Sequence, residues 1–231
     1  MRDQYAGDIS DYIKYAFLRA LAGADRRLGV AWYYLEGNDG RPDGRHTEYL
    51  AEQPWSALDP TVYGQLRTLS TRSVAAIQRQ SFWPLETRFH QEPVVSSGRD
   101  SWVEGMVNAL TGTDLIFLDP DNGMGESGRK HARLADLVAL SASGRALVTI
   151  KFPGRHATHA RQVQMLHERL ASAGLVDPLT ISTCVRVPGR AGRVPRHRFF
   201  TIVGGDAVLH QRAHSFVGAF AQMPNASARV F

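Results

Sequence analysis

Residues 114–123, Asp-Leu-Ile-Phe-Leu-Asp-Pro-Asp-Asn-Gly, decide the predicted fold. An apolar run between two aspartates is typical of a strand buried on both faces, as in a parallel sheet. The strand brings Asp119 to the rim of the sheet, and the residues that follow it favour a turn. Ligands of open parallel sheets bind beyond the carboxyl ends of the strands. The segment therefore predicts an α/β domain with catalytic candidates at Asp119, Asp121 and Asn122; the alternative is a turn whose side chains bond their own backbone.

The rest of the chain alternates helices and strands around this segment. Strands are predicted at 28–35, 73–78, 87–95, 114–119, 145–152, 180–187 and 199–203. Helices are predicted at 11–22, 60–71, 101–110, 131–140, 158–171 and 207–220. This order predicts a single Rossmann-like domain over 1–231, with a mostly parallel sheet, helices on both faces and an antiparallel pair of strands at one edge. Residues 222–231 are predicted to be a loose tail.

Composition narrows the class of protein. The hydrophobic fraction of 43% and the charged fraction of 21% are typical of a folded globular domain. A single cysteine, Cys184, excludes a disulfide scaffold. No apolar run reaches the roughly 20 residues that cross a bilayer, and the first residues lack the features of a secretory signal. These features predict a soluble cytoplasmic protein with no membrane partner.

Charge is distributed unevenly along the chain. The net charge is +5, but residues 145–231 hold 12 Lys and Arg against 3 Asp and Glu, and the preceding residues hold 15 against 19. A basic half on an otherwise acidic protein favours a polyanionic partner such as a nucleic acid. The alternative is a general preference for arginine, since the chain has only three lysines.

Residues 186–198, which we call the arginine segment, hold five arginines and no acid. Their glycines and prolines predict a loop that grips phosphates, the alternative being a solvated hairpin loop. The candidate substrate-binding residues are Arg190, Arg193, Arg196, Lys151 and Arg155.

Two further segments contain candidate binding residues. In residues 5–15, Asp8 is a predicted helix cap, whereas Lys14 either enters a site or pairs with Asp11 at helical spacing. The loop 36–44 follows a predicted strand but lacks both the GxGxxG and the GK[ST] motifs. Glu36 or Asp39 could accept hydrogen bonds there from a ribose or an amino group. The histidines and the cysteine show no metal-binding spacing, so no metal ligands are predicted.

Three of these features together resemble the J-type large-subunit ribosomal RNA adenine methyltransferases, members of the class I S-adenosylmethionine fold. Residues 6–15, Ala-Gly-Asp-Ile-Ser-Asp-Tyr-Ile-Lys-Tyr, are similar to that family's His-Ala-Gly-Asn-x-x-Asp-x-x-Lys-His segment. The strand that ends in Leu35-Glu36 before a glycine-containing loop matches the family's first strand, and residues 119–122 stand where the family has Asp-Pro-Pro-Tyr. The resemblance implies S-adenosylmethionine as cofactor and a pocket lined by Gly7, Asp8, Lys14, Glu36, Asp39 and Gly40.

The resemblance also implies that Asp119 accepts a hydrogen bond from the reacting group or from the cofactor amine. The chain departs from the family at Asn122. The family's tyrosine stacks on a base that has swung out of its helix, and the side-chain amide of Asn122 cannot stack in this way. Asp121 adds negative charge at the same place, which suits a substrate that bears donors or a cationic amine better than it suits adenine.

We therefore expect a methyltransferase that acts on a nucleic acid or nucleotide-containing substrate, with Asp119 or Asp121 accepting the proton of the acceptor. One alternative is a nuclease or phosphoesterase that binds magnesium or manganese through Asp119, Asp121 and either Glu36 or Asp39. Against it, Lys151 lacks the neighbouring acid expected in a PD-(D/E)xK nuclease. The other alternative is a non-catalytic nucleotide-binding domain.

Overall fold

The structure, a computed structural model, describes residues 1–40, 44, 46–95, 97–126, 128–141, 144–189 and 191–231. The helices within these ranges are α1 (Ile9–Ala22), α2 (Pro60–Arg67), α3 (Val74–Gln78), α4 (Arg99–Ala109), α5 (Leu134–Leu140), α6 (His159–Ala171) and α7 (Ala207–Phe220). The strands are β1 (Leu28–Trp32), β2 (Arg88–His90), β3 (Leu115–Asp119), β4 (Ala146–Lys151), β5 (Leu179–Gly189), β6 (Gly192–Val203) and β7 (Ala226–Val230).

The strands form one sheet in the order β2-β1-β3-β4-β6-β5-β7. β2, β1, β3 and β4 are parallel neighbours, and β6 lies antiparallel between β4 and β5. The predicted α/β fold is confirmed, including the antiparallel pairing of the last two predicted strands. Because the first four strands run in one direction, the residues that follow them all emerge at one edge, which we call the carboxyl edge.

Each face of the sheet is covered by its own helices. α1, α2, α3 and α7 pack on one face around an aromatic core that includes Phe17, Phe200 and Phe216. α4, α5 and α6 pack on the other face, where Leu118 and Leu147 are buried. Strands covered on both faces have no solvent-facing side, which explains why β3 is apolar throughout before its final aspartate.

Residues 73–78 were wrongly predicted as a strand, since they contain the short helix α3. Ser73 caps it by accepting a hydrogen bond from the amide of Ala76. Val74 and Ile77 are buried, and their spacing of three places them on one face of a helix.

The arginine segment was wrongly predicted as a loop. β5 and β6 continue through it as a hairpin, in which Arg186 pairs with Pro195 and Pro188 with Arg193. The backbone N–H of Arg186 points away from β6 and donates to the carbonyl of Asn225. Its partner on β6, Pro195, therefore does not need an amide hydrogen to pair with β5, so a proline is accepted there. Arg190, at the turn, lies outside the described residues.

The predicted loose tail is also wrong, because residues 226–230 form β7. β7 pairs antiparallel with β5 from Val185–Ala226 to Ile181–Val230. The segment lacks a long apolar run because its side chains are only partly buried at the edge of the sheet. No described helix is long and apolar enough to cross a membrane.

Candidate functional site

A buried ion cluster joins α1 to the end of β3. The Lys14 ammonium lies 3.0 and 2.9 Å from the two carboxylate oxygens of Asp119, which is 105 residues away in the sequence. The same ammonium lies 2.6 Å from Asp11 Oδ1. The first and third segments of the family resemblance therefore meet at the carboxyl edge, and both pairings that the sequence left open for Lys14, with a site and with Asp11, are present.

The cluster lies deeper than the sequence indicated. Lys14 and Asp119 are each 3% exposed, so Asp119 is buried rather than at a solvent-facing rim. Burial raises the pKa of Asp119 above its usual value, against the opposing effect of Lys14. Burial by itself would lower the pKa of Lys14, but Asp11 and Asp119 together raise it above its usual value. Lys14 therefore stays cationic, and its charge opposes the effect of burial on the pKa of Asp119.

The start of α1 orders the remaining groups of this cluster. Asp8 caps the helix by accepting from the amide of Asp11, at 3.0 Å. Asp11 Oδ2 accepts from the amide of Gly7 and from the hydroxyl of Tyr15, each at 2.9 Å. Gly7 has a φ of +77°, which favours glycine there. Burial, with the nearby charge of Asp11, raises the pKa of Asp8 to about 6.

A buried arginine completes the cluster and was not selected as a site residue from the sequence. Arg198, 4% exposed, extends from β6, and its Nε donates to the hydroxyl of Ser10 at the start of α1. Its charge acts against the rise in the pKa of Asp8. In the sequence Arg198 is one of five arginines, and no local pattern separates it from the exposed ones.

The loop after β1 lies beside the Asp-Pro-Asp motif. Arg2 Nε is 3.8 Å from both Asp39 Oδ2 and Asp121 Oδ2. Asp39 also accepts hydrogen bonds from Gln4 and Tyr5, at 2.7 and 2.8 Å. Asp121 Oδ1 is 2.7 Å from the amine of Met1. Neither carboxylate is therefore free of protein partners.

The other residues predicted in this loop face open space. Glu36 and Gly40 are exposed. Gly37 and Gly40 have φ values of +78° and +70°, and among the described residues no atom beyond their chain neighbours lies within 4 Å of where their Cβ would be. This part of the loop is therefore exposed to solvent. Residues 41–43 of the predicted loop lie outside the described residues.

The glycine of the motif is required by close packing against β4. Gly123 has a φ of +80°, and a Cβ there would lie 2.8 Å from the Cα of Lys151. Asn122 is exposed beside it, and its backbone N–H donates to the backbone carbonyl of Lys130 at 2.9 Å. Lys151 is half-buried, which lowers its pKa. The loops after β1, β3 and β4 thus meet at one edge, as the parallel sheet predicted.

A further buried carboxylate, Asp136, orders the loop after the motif, and sequence reasoning missed it. Asp136 is fully buried and accepts from the Tyr33 hydroxyl at 3.0 Å. Arg99 and Arg133 contact its two oxygens at 2.6 and 3.0 Å. These partners come from the residue after β1, from α4 and from the start of α5, so only the folded chain shows that they belong together.

The predicted substrate-binding cations surround the same edge. Lys151, the last residue of β4, pairs with Phe199 of β6, which in turn pairs with Ser182 of β5. The residues of β5 from Ser182 to Gly189 therefore extend past the end of β4. At about 3.3 Å per residue, the arginine segment projects roughly 20 Å beyond the carboxyl edge. Arg193, Arg196 and Arg155 are exposed. Arg193 is also hydrogen-bonded to the Arg186 carbonyl at 3.0 Å, so its position is fixed.

Among the described residues, no group of three or more His, Cys, Asp or Glu side chains could hold a metal ion. The carboxylates of the carboxyl edge are instead paired with Lys14, Arg2 and the Met1 amine. What the edge holds is a buried ion cluster, an open glycine-containing loop and a projecting basic hairpin.

Comparisons with known proteins bear on the fold and not on the function. No family model matches the chain, and no curated protein matches it. Among solved structures, the chain is similar to the crystal structure of protein LPL1258 from Legionella pneumophila, described by the family model DUF519. The two are 13% identical with a TM-score of 0.51, and the match covers 98% of this chain and 97% of the other. A match over nearly the whole of both chains at this identity shows the fold alone, which the two chains share.

Proposed function

We propose that this protein is a methyltransferase with the class I fold, which transfers a methyl group from S-adenosylmethionine to a nucleic acid or nucleotide-containing substrate. The observation that carries the proposal is the contact of Lys14 with Asp119. Two segments selected by resemblance, far apart in the sequence, share one buried ion cluster at the edge where open parallel sheets bind ligands.

The carboxyl edge fits a cofactor with a positive sulfonium and ammonium. Among the described residues, the carboxylates of Asp8, Asp11, Asp39, Asp119 and Asp121 meet there beside four cations, which are Lys14, Arg2, Arg198 and the Met1 amine. The open space beside Gly37 and Gly40, with the exposed carboxylate of Glu36, provides a place for the polar parts of the ligand. The cofactor would supply an activated methyl group.

The protein itself would bind and orient the reactants, which is the main requirement of methyl transfer. Asp119 accepts two hydrogen bonds from Lys14, which leaves lone pairs for a donor on the ligand. Its raised pKa suits a group that accepts the acceptor's proton. Lys14 holds Asp119 in place, and the arginine segment would bind the phosphates of the substrate.

Calorimetry with S-adenosylmethionine and S-adenosylhomocysteine tests the proposal. Binding should also raise the melting temperature, since a ligand at 100 times its Kd adds about 2.7 kcal/mol. Glu36→Gln should weaken binding, whereas Glu104→Gln, a matched change of an exposed acid on α4, should not. Absence of binding at millimolar cofactor would refute the proposal, and stabilisation by magnesium or manganese instead would favour the phosphoesterase alternative.

A further inference from the structure

The loop after β4 presents an aromatic ring among cations. Phe152 is 42% exposed and is the one aromatic residue among the large exposed hydrophobic side chains of the described ranges. Lys151 precedes it, and the exposed residues Arg155 and His156 follow it. We call residues 152–157 the β4 loop. An exposed ring between cations is the combination that binds single-stranded nucleic acids.

A buried side chain holds the β4 loop in one conformation. Gln162, on α6, is 2% exposed. Its amide nitrogen donates to the carbonyls of Gly154 and Ala157, at 2.9 and 2.8 Å, and its oxygen accepts from the amide of Gly154 at 3.0 Å. The loop is therefore ordered before any ligand binds, which lowers the entropy cost of binding.

The β4 loop begins next to the candidate site. Gly123 packs directly on Lys151, the residue before Phe152. Lys151 also pairs with Phe199, from which β6 leads to the arginine segment. Phe152 thus lies between the Asp-Pro-Asp motif and the projecting hairpin.

We propose that Phe152 is a stacking platform for an unpaired base of a single-stranded nucleic acid, with Lys151 and Arg155 binding the adjoining phosphates. This rests on the nucleic-acid substrate of the proposed function but not on its cofactor. A single strand fits better than a duplex, because only an unpaired base offers its face to a ring. Sequence preference should be weak, because every base has such a face.

The test measures binding of a fluorescently labelled 12-nucleotide single strand and of the same sequence as a duplex. Phe152→Ala should weaken single-strand binding by roughly 5- to 150-fold, the effect of losing one base stacked on one ring. The dependence of log K on log salt should not change, because a ring neutralises no phosphate. Leu85→Ala, which removes a 91% exposed side chain elsewhere, should leave binding unchanged.

Phe152→Trp provides a second, direct readout. It should keep the affinity, and its emission should be quenched by the single strand, since the four native tryptophans are at most 8% exposed. Unchanged affinity in Phe152→Ala, or an equal loss for the duplex, would overturn the proposal. The predicted loss in a protein that binds no S-adenosylmethionine would support the platform while refuting methyl transfer.

Discussion

Replacing Lys14 by methionine removes the cation that two buried carboxylates share. Lys14 contacts Asp119 at 2.9 Å and Asp11 at 2.6 Å, and the side chains of all three are at most 4% exposed. Removing one partner of a buried ion pair costs about 3–5 kcal/mol, because the remaining charge is left without compensation in a medium of low polarity. At roughly 2–4 °C per kcal/mol for a chain of this size, the melting temperature should fall by about 6–20 °C.

The structure provides a matched control on the same strand. Arg27 pairs with Asp114 at the other end of β3, at 3.2 Å, but their side chains are 53% and 36% exposed. Arg27→Met should therefore cost much less than Lys14→Met, because solvent screens an exposed ion pair. Urea unfolding followed by circular dichroism gives both values.

A double variant separates the ion pair from the packing of the side chains. Asp119→Asn neutralises one of the carboxylates that Lys14→Met leaves without its cation. Lys14→Met with Asp119→Asn should therefore be less destabilised than the sum of the single variants. If Lys14→Met cost no more than Arg27→Met, or if the single effects were additive, the cluster would not be the buried electrostatic unit described above.

Three further predictions concern the same edge. Between about pH 4 and 6 the unfolded chain releases a proton that folded Asp8 retains, so stability falls by up to about 3 kcal/mol as pH rises through this range. Asp8→Asn keeps the cap and cannot titrate, so urea unfolding should show this part of the curve flattened, and an unchanged slope would contradict the assignment. Gly123→Ala should cost more than Gly174→Ala, because both have positive φ but only the first meets backbone, and equal costs would contradict this. Alanine at three positions of the arginine segment should lower the slope of log K against log salt by roughly two to three units, and an unchanged slope would exclude phosphate binding there. These positions are Arg190, Arg193 and Arg196.

The sequence by itself was sufficient for the α/β class and for the edge that holds the candidate site. β3 is apolar up to its final Asp119, and β4 is apolar up to its final Lys151 apart from Thr149. This is the pattern of strands covered on both faces, and it depends on local residues alone. The acid at the end of β3 and the glycine that follows could be selected for the same reason. Asp8 was correctly predicted as the cap of α1, because capping is a contact between near neighbours in the chain.

Only the tertiary structure decided which charges are buried and which segments pair. Lys14 and Asp119, like Ser10 and Arg198, are far apart in the sequence, so no spacing predicts their contact. The arginine segment contains prolines and glycines that favour a loop locally, yet it forms a hairpin. Asn225, just before β7, accepts the outward amide of Arg186, and the buried Val185 and Val187 pack against the core. Residues 226–230 likewise become a strand only because β5 offers them an edge. Strand pairing depends on the partner available, which local sequence does not contain.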